Sequence, residues 1–164
     1  MTSNPIASRN WVATPFVSGS SPAIGRAVRS GAPAVRASRA VVLPGGLPGA
    51  TNLLADDQVV AAVHEMDQAG KLVAAICAAP IVLARAGALE GRRYTAYPGY
   101  DERIETTGTF SEEVVVRDGT LITSRGPATA YAFGYALVDA MGGDSLAVKN
   151  RMVYFSAFEE DGGN

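Results

Sequence analysis

The chain is poor in the residues that build metal centres and disulfides. It has one cysteine, Cys77, and one histidine, His64, among 164 residues. One cysteine cannot close an internal disulfide, which fits a reducing compartment. One cysteine and one histidine leave little room for a zinc or iron site, so no metal and no cofactor are expected. No apolar run approaches the roughly 20 residues that span a bilayer. The N-terminus has no charged start followed by an apolar stretch, so no secretory signal is read and a cytoplasmic location is expected. The formal net charge is −2. Nothing in that balance calls for a nucleic-acid or membrane partner.

Acidic residues are absent from residues 1–39, whereas Arg9 to Arg39 holds five arginines and no lysine. Ser18 to Pro33 is rich in Gly, Ser, Pro, Ala and Arg, with neither a strand period nor a helix period. Such a segment buries too little apolar surface to order itself. Three readings stand: a disordered leader, a leader translated in a wrong frame, and a basic tail for an acidic partner, the first two being preferred. The expected organisation is this leader over 1–39, one domain over 40–155 and a flexible acidic tail over 156–164.

Good patterning begins at Ala40. Ala40 to Leu43 reads as a short buried strand ended by Pro44-Gly45-Gly46, glycines that let a backbone approach a ligand closely. After one turn around Thr51 to Leu54, Asp56 or Asp57 caps a helix whose apolar face is Val59, Val60, Val63 and Met66, and Gly70 closes it. His64 lies towards the polar side of that helix and reads as an exposed helical histidine rather than a catalytic one. Short strands are expected at Leu72–Ile76 and Arg93–Ala96, and a polar helical turn over 101–107. Val114–Arg117 and Thr120–Thr123 flank Asp118-Gly119, a hairpin signal. A helix from Ala128 to Met141 follows, its aromatics read as core, and Asp144 caps a last segment from Ser145 to Arg151. Strands alternating with helices across short turns argue for an α/β sandwich with a mostly parallel sheet.

The strand Leu72-Val73-Ala74-Ala75-Ile76 runs straight into Cys77-Ala78-Ala79-Pro80 and then into the helical pattern Ile81-Val82-Leu83-Ala84. A strand that turns sharply into a helix presents the residue at the turn and places it beside free helix N–H groups. Those groups favour a thiolate, so Cys77 is a candidate nucleophile at an elbow. An inert buried cysteine at a strand end is the competing reading. Pro44-Gly45-Gly46, Cys77, Tyr97 and Arg125 all follow strands, and in parallel sheets ligands sit beyond the strands' carboxyl ends.

Val41-Val42-Leu43-Pro44-Gly45-Gly46, Ala74-Ala75-Ile76-Cys77-Ala78-Ala79-Pro80 and Thr123-Ser124-Arg125-Gly126-Pro127, in this order and spacing, resemble the ThiJ/PfpI family, the DJ-one superfamily. The resemblance covers about Ala40 to Val153. It implies a flavodoxin-like three-layer α/β sandwich whose first strand and helix are replaced here by residues 1–40. It implies that Cys77 is the reactive elbow cysteine, with Gly45, Gly46, Ala78, Tyr97 and Arg125 around the oxyanion and substrate. It implies a glyoxalase or deglycase acting on methylglyoxal or glycated adducts, or a redox-responsive chaperone that works through oxidation of Cys77. Two departures bear on this. The family's partner glutamate comes from the first helix, and residues 1–40 contain no acid. Tyr97 stands where the best-known eukaryotic members have histidine. Ala78 stands where the peptidase branch has histidine, which argues against a peptidase. An impaired enzyme is therefore expected, with a degraded or frame-shifted member as a further alternative, and the family's dimer is in doubt because the same segment helps to form it.

Overall fold

The computed structural model describes residues 37–154; residues 1–36 of the leader expected over 1–39, and the whole tail expected over 156–164, lie outside the described residues. Four strands make one sheet in the order β1-β2-β6-β5: β1 Ala40–Leu43, β2 Leu72–Ile76, β6 Leu121–Ser124 and β5 Val115–Asp118. β1, β2 and β6 are parallel, with Ala40 opposite Leu72 and Val73 opposite Leu121. β5 returns antiparallel to β6 through the Asp118-Gly119 turn, with Asp118 opposite Leu121. Gly119 has φ +59, the left-handed conformation that makes this dipeptide a hairpin turn. Two further strands, β3 Arg93–Tyr94 and β4 Thr109–Phe110, form a separate parallel ladder. The strand expected over Arg93–Ala96 is thus two residues long, because Thr95 gives its N–H to the Thr123 hydroxyl (2.8 Å) rather than to a strand backbone.

Helices cover both faces of the sheet. On one face, Leu43, Val73, Ala75 and Leu121 pack with α1 (Gly49–Ala55), α2 (Asp57–Gln68) and α3 (Pro80–Arg85). On the other, Leu72, Ala74 and Ile122 meet Phe133, Leu137 and Ala140 of α4 (Ala130–Ala140). The alternation along β2 explains this: odd and even residues point to opposite faces, and all of Leu72 to Ala75 are buried. The result is a three-layer α/β sandwich with a mostly parallel sheet. Among the described residues β1 is an edge strand, and its Val42 is 44% exposed.

The helix ends obey their caps. Asp56 accepts hydrogen bonds from Gln58 N (2.9 Å) and Val59 N (3.4 Å) at the start of α2, and Gly70 follows with φ +64. Asp144 accepts from Ala147 N (3.0 Å) at the start of α5, Ser145–Arg151. The helix expected from Ala128 begins two residues later, after a 3-10 turn over Pro127–Thr129, and the polar turn expected over 101–107 is a 3-10 turn at Asp101–Arg103. Phe133 and Tyr135 of α4 are buried as core, whereas Tyr131 is 52% exposed. Among the described residues no helix is long and apolar enough to cross a membrane.

Candidate functional site

The site forms where β1 and β2 end side by side. Cys77 directly follows β2 and has φ +65, a left-handed backbone that residues with a side chain avoid. Two long-range hydrogen bonds hold it there. Its N–H donates to Ser124 O (2.8 Å), extending the β2–β6 ladder by one residue, and its own carbonyl accepts from Tyr97 N (2.9 Å). The chain then turns into α3, with Pro80 at the first helical position, where a missing N–H costs nothing. Ala78 and Ala79 fill the turn and are buried. A pinned left-handed residue between strand and helix is the geometry of a nucleophile elbow.

The loop after β1 forms one wall. A Cβ added to Gly45 would lie 2.6 Å from Cys77 Cβ, 2.7 Å from Ile76 O and 3.4 Å from Cys77 Sγ. Only glycine allows this approach. Gly46 has φ +87, and its carbonyl accepts from Ala50 N (2.8 Å) at the start of α1. Among the described residues, the Gly46 and Ala78 N–H groups donate to no protein acceptor.

Tyr97 closes another side. It comes from outside the main sheet yet is fixed by its N–H to Cys77 O. Its ring is edge-on to Tyr100 (centroids 6.3 Å apart) and tight against Gly126, where an added Cβ would meet Tyr97 Cδ2 at 3.3 Å. Arg125 has other bonds. Its Nη1 donates to Glu112 O (3.0 Å), its Nη2 lies 3.8 Å from the Glu112 carboxylate, and its N–H donates to Val114 O (3.3 Å). The structure therefore brings Gly45, Gly46, Cys77, Ala78 and Tyr97 together, and engages the Arg125 guanidinium with the 112–114 segment. Ser124 and Gly126 are the additions. Ser124 supplies the carbonyl that fixes the elbow, and Gly126 makes room for the Tyr97 ring. Both lay in the Ser-Arg-Gly-Pro motif, but only the fold reveals their contacts.

Among the described residues no carboxylate hydrogen-bonds to Cys77 Sγ, and no group of three His, Cys, Asp or Glu could hold a metal. His64 stands apart: its Nδ1 meets Ala86 O (2.9 Å), linking α2 to the end of α3. The first acid in the sequence is Asp56, which caps α2.

The profile of the DJ-1/PfpI family matches residues 33–140. The chain belongs to the DJ-1/PfpI family. Protein dj-1beta of Drosophila melanogaster is 41% identical over 105 residues, which are 63% of this chain and 56% of that protein. A deglycase from Pyrococcus horikoshii is 41% identical over 96 residues, 57% of each chain. Among solved structures, Drosophila DJ-1beta superimposes with a TM-score of 0.67 at 32% identity, covering 79% of this chain and 68% of that one. Toxoplasma gondii DJ-1 in an oxidised form gives 0.68 at 26% identity, with the same coverages. The match to Drosophila dj-1beta thus spans little more than half of that relative's length.

Proposed function

We propose that this member of the DJ-1/PfpI family is a cysteine-dependent glyoxalase or deglycase, acting on methylglyoxal or a glycated adduct, and slow because no carboxylate among the described residues serves the thiol as a base. One observation carries the reading: Cys77 is held at φ +65 by bonds to Ser124 and Tyr97, beside two N–H groups that have no protein acceptor among the described residues. A strained conformation kept by two long-range bonds fits a functional residue better than an inert one. The similarity to a protein named as a deglycase supports the same reaction class.

The Cys77 thiolate adds to the aldehyde carbon of methylglyoxal, forming a C–S bond and leaving an oxyanion. The N–H groups of Gly46 and Ala78 stabilise that charge as it develops. Protonation of the oxyanion gives a hemithioacetal. Its C1 proton is then lost and C2 gains one, through an enediol, which yields the lactoyl thioester. Water cleaves the C–S bond, releasing lactate and restoring the thiol. No cofactor or metal enters these steps. The proton shift is the step a carboxylate would catalyse, and general acid–base help is worth about 10²- to 10⁴-fold. The Tyr97 hydroxyl serves as a hydrogen-bond donor to the oxyanion rather than as a base.

Lactate formation from methylglyoxal tests the proposal. The full chain should turn over slowly, and Cys77→Ala should abolish the activity. Turnover that survives Cys77→Ala would overturn the mechanism. A fast Cys77-dependent rate, comparable to that of a relative with its glutamate, would overturn the claim of impairment.

A second reading is favoured by the similarity to a structure described as oxidised. Here Cys77 reacts with two equivalents of peroxide to a sulfinate, each peroxide being reduced to water, and the same N–H groups hold the product. Intact mass after mild peroxide should show two added oxygens on Cys77; none would end this reading. In either reading the partner is a small molecule in the cytoplasm, and no nucleic acid or membrane takes part.

A further inference from the structure

A second cavity opens near the elbow and shares none of its residues. It is an open depression of about 660 Å³ between α1, α3 and the segment that follows Tyr97. That volume falls within the range of small-molecule sites. Leu54 of α1, Ile81 of α3 and Tyr100 give it apolar surface. Tyr100 is tied to the wall of the elbow, since its N–H donates to Tyr97 O (2.9 Å).

Two opposite charges stand together in its lining. Ile104 is extended, with φ −100 and ψ 108, and its side chain is buried in the core. The residues on either side of an extended residue point away from the face it buries. Arg103 and Glu105 accordingly are exposed, and both line the cavity. The Arg103 guanidinium lies 5.0 Å from the centre of the Tyr100 ring. That contact orients the planar group through its face and leaves its N–H donors for a ligand. Among the described residues neither side chain makes a hydrogen bond or an ion pair, with the other or with a third group. The remaining charge in the lining is committed: Arg85 donates to Leu54 O and to the Asp57 carboxylate (2.6 Å).

We propose that this cavity binds a small zwitterion of the α-amino-acid class with an apolar side chain. The guanidinium of Arg103 takes the carboxylate as a fork, and Glu105 takes the ammonium. Leu54, Ile81 and Tyr100 bury the side chain. A ligand with one charge leaves one of the two wall groups without a partner. The site does not rest on the glyoxalase reading, since no elbow residue lines it.

L-Leucine is the probe, titrated into the full chain by amide NMR at about pH 6 and low salt, where carboxylates and α-amines are both charged. Two relatives of it separate the charges: leucinamide keeps only the ammonium, and 4-methylpentanoate only the carboxylate. Leucine should bind saturably, with shifts clustered at Leu54, Tyr100, Ile104 and Glu105, a readout that needs no variant to fold. Each relative should bind about ten-fold more weakly, the loss of one charge-assisted contact. Arg103→Gln should weaken leucine and 4-methylpentanoate but not leucinamide. Glu105→Gln should weaken leucine and leucinamide but not 4-methylpentanoate. No saturable shift, shifts centred elsewhere, equal affinity for the three probes, or variants that do not discriminate among them would each overturn the proposal.

Discussion

Gly45→Ala is the sharpest perturbation of the elbow, because it adds one methyl group where none fits. The new Cβ would lie 2.6 Å from Cys77 Cβ and 2.7 Å from Ile76 O. Neither neighbour is the free end of a flexible side chain. One is a backbone carbonyl at the end of β2, and the other is the Cβ of a residue pinned on both sides by Ser124 and Tyr97. Reaching ordinary contact at 3.4 Å requires a shift of about 0.8 Å, close to the 1 Å misplacement that can cost about 10²-fold in rate. Overpacking of this kind costs about 1–3 kcal/mol, or about 2–12 °C in melting temperature at 2–4 °C per kcal/mol. Two assays read the two effects: thermal unfolding by circular dichroism, and the rate at which a disulfide reagent captures the Cys77 thiol. Gly49→Ala is the control. It opens α1, nothing lies within 4 Å of its Cβ, and its φ is not positive, so it should be neutral or stabilising by up to about 1 kcal/mol. A Gly45→Ala chain that melts and reacts like wild type would refute the close approach of the β1 loop to the thiol.

Three other changes test the surrounding structure. Cys77→Gly should be more stable than Cys77→Ala by about 1 kcal/mol, since glycine adopts φ +65 without the left-handed penalty; equal melting temperatures would deny the strain. Thr123→Val removes the oxygen that accepts the buried Thr95 N–H and should cost about 1–3 kcal/mol by urea unfolding, whereas an unchanged midpoint would mean that the N–H finds another acceptor. Asp139 is held below its ordinary pKa of 3.8 by the Ser145 hydroxyl and N–H, with Lys149 and Arg117 helping. A depressed folded-state pKa stabilises above the unfolded value, and the contribution is lost as pH falls below about 4. Unfolding titrations from pH 6 to 2 should therefore show a shallower acid loss in Asp139→Asn; identical slopes would contradict the role of this carboxylate in joining α4 to α5.

Much of this was legible locally. The caps at Asp56 and Asp144, the Asp118-Gly119 hairpin and the strand that delivers Cys77 are each set within a few residues, so their signals lie in the sequence. The family match likewise followed from three short motifs. What was not legible depends on contacts between distant segments. Nothing near Arg93 says that its strand leaves the main sheet to pair with Thr109, because that choice is made by Thr123 and β4. Arg125 reads as a binding residue after a strand, but the fold places the Glu112 carbonyl 3.0 Å from its guanidinium. His64 is exposed on its helix as the sequence suggests, but only the fold shows that it reaches a carbonyl 22 residues away. Residues 1–36 of the basic leader expected over 1–39, and the acidic tail expected over 156–164, fall outside the described residues.

In the proposed reaction Cys77 captures an aldehyde even though, among the described residues, no carboxylate bonds to its sulfur. Carbon-13 NMR of methylglyoxal labelled at its aldehyde carbon, added to the full chain, tests it most directly. The account predicts a protein-bound hemithioacetal resonance that decays slowly to lactate and is absent from Cys77→Ala. Only the free hydrate, with identical spectra for the two proteins, would contradict it.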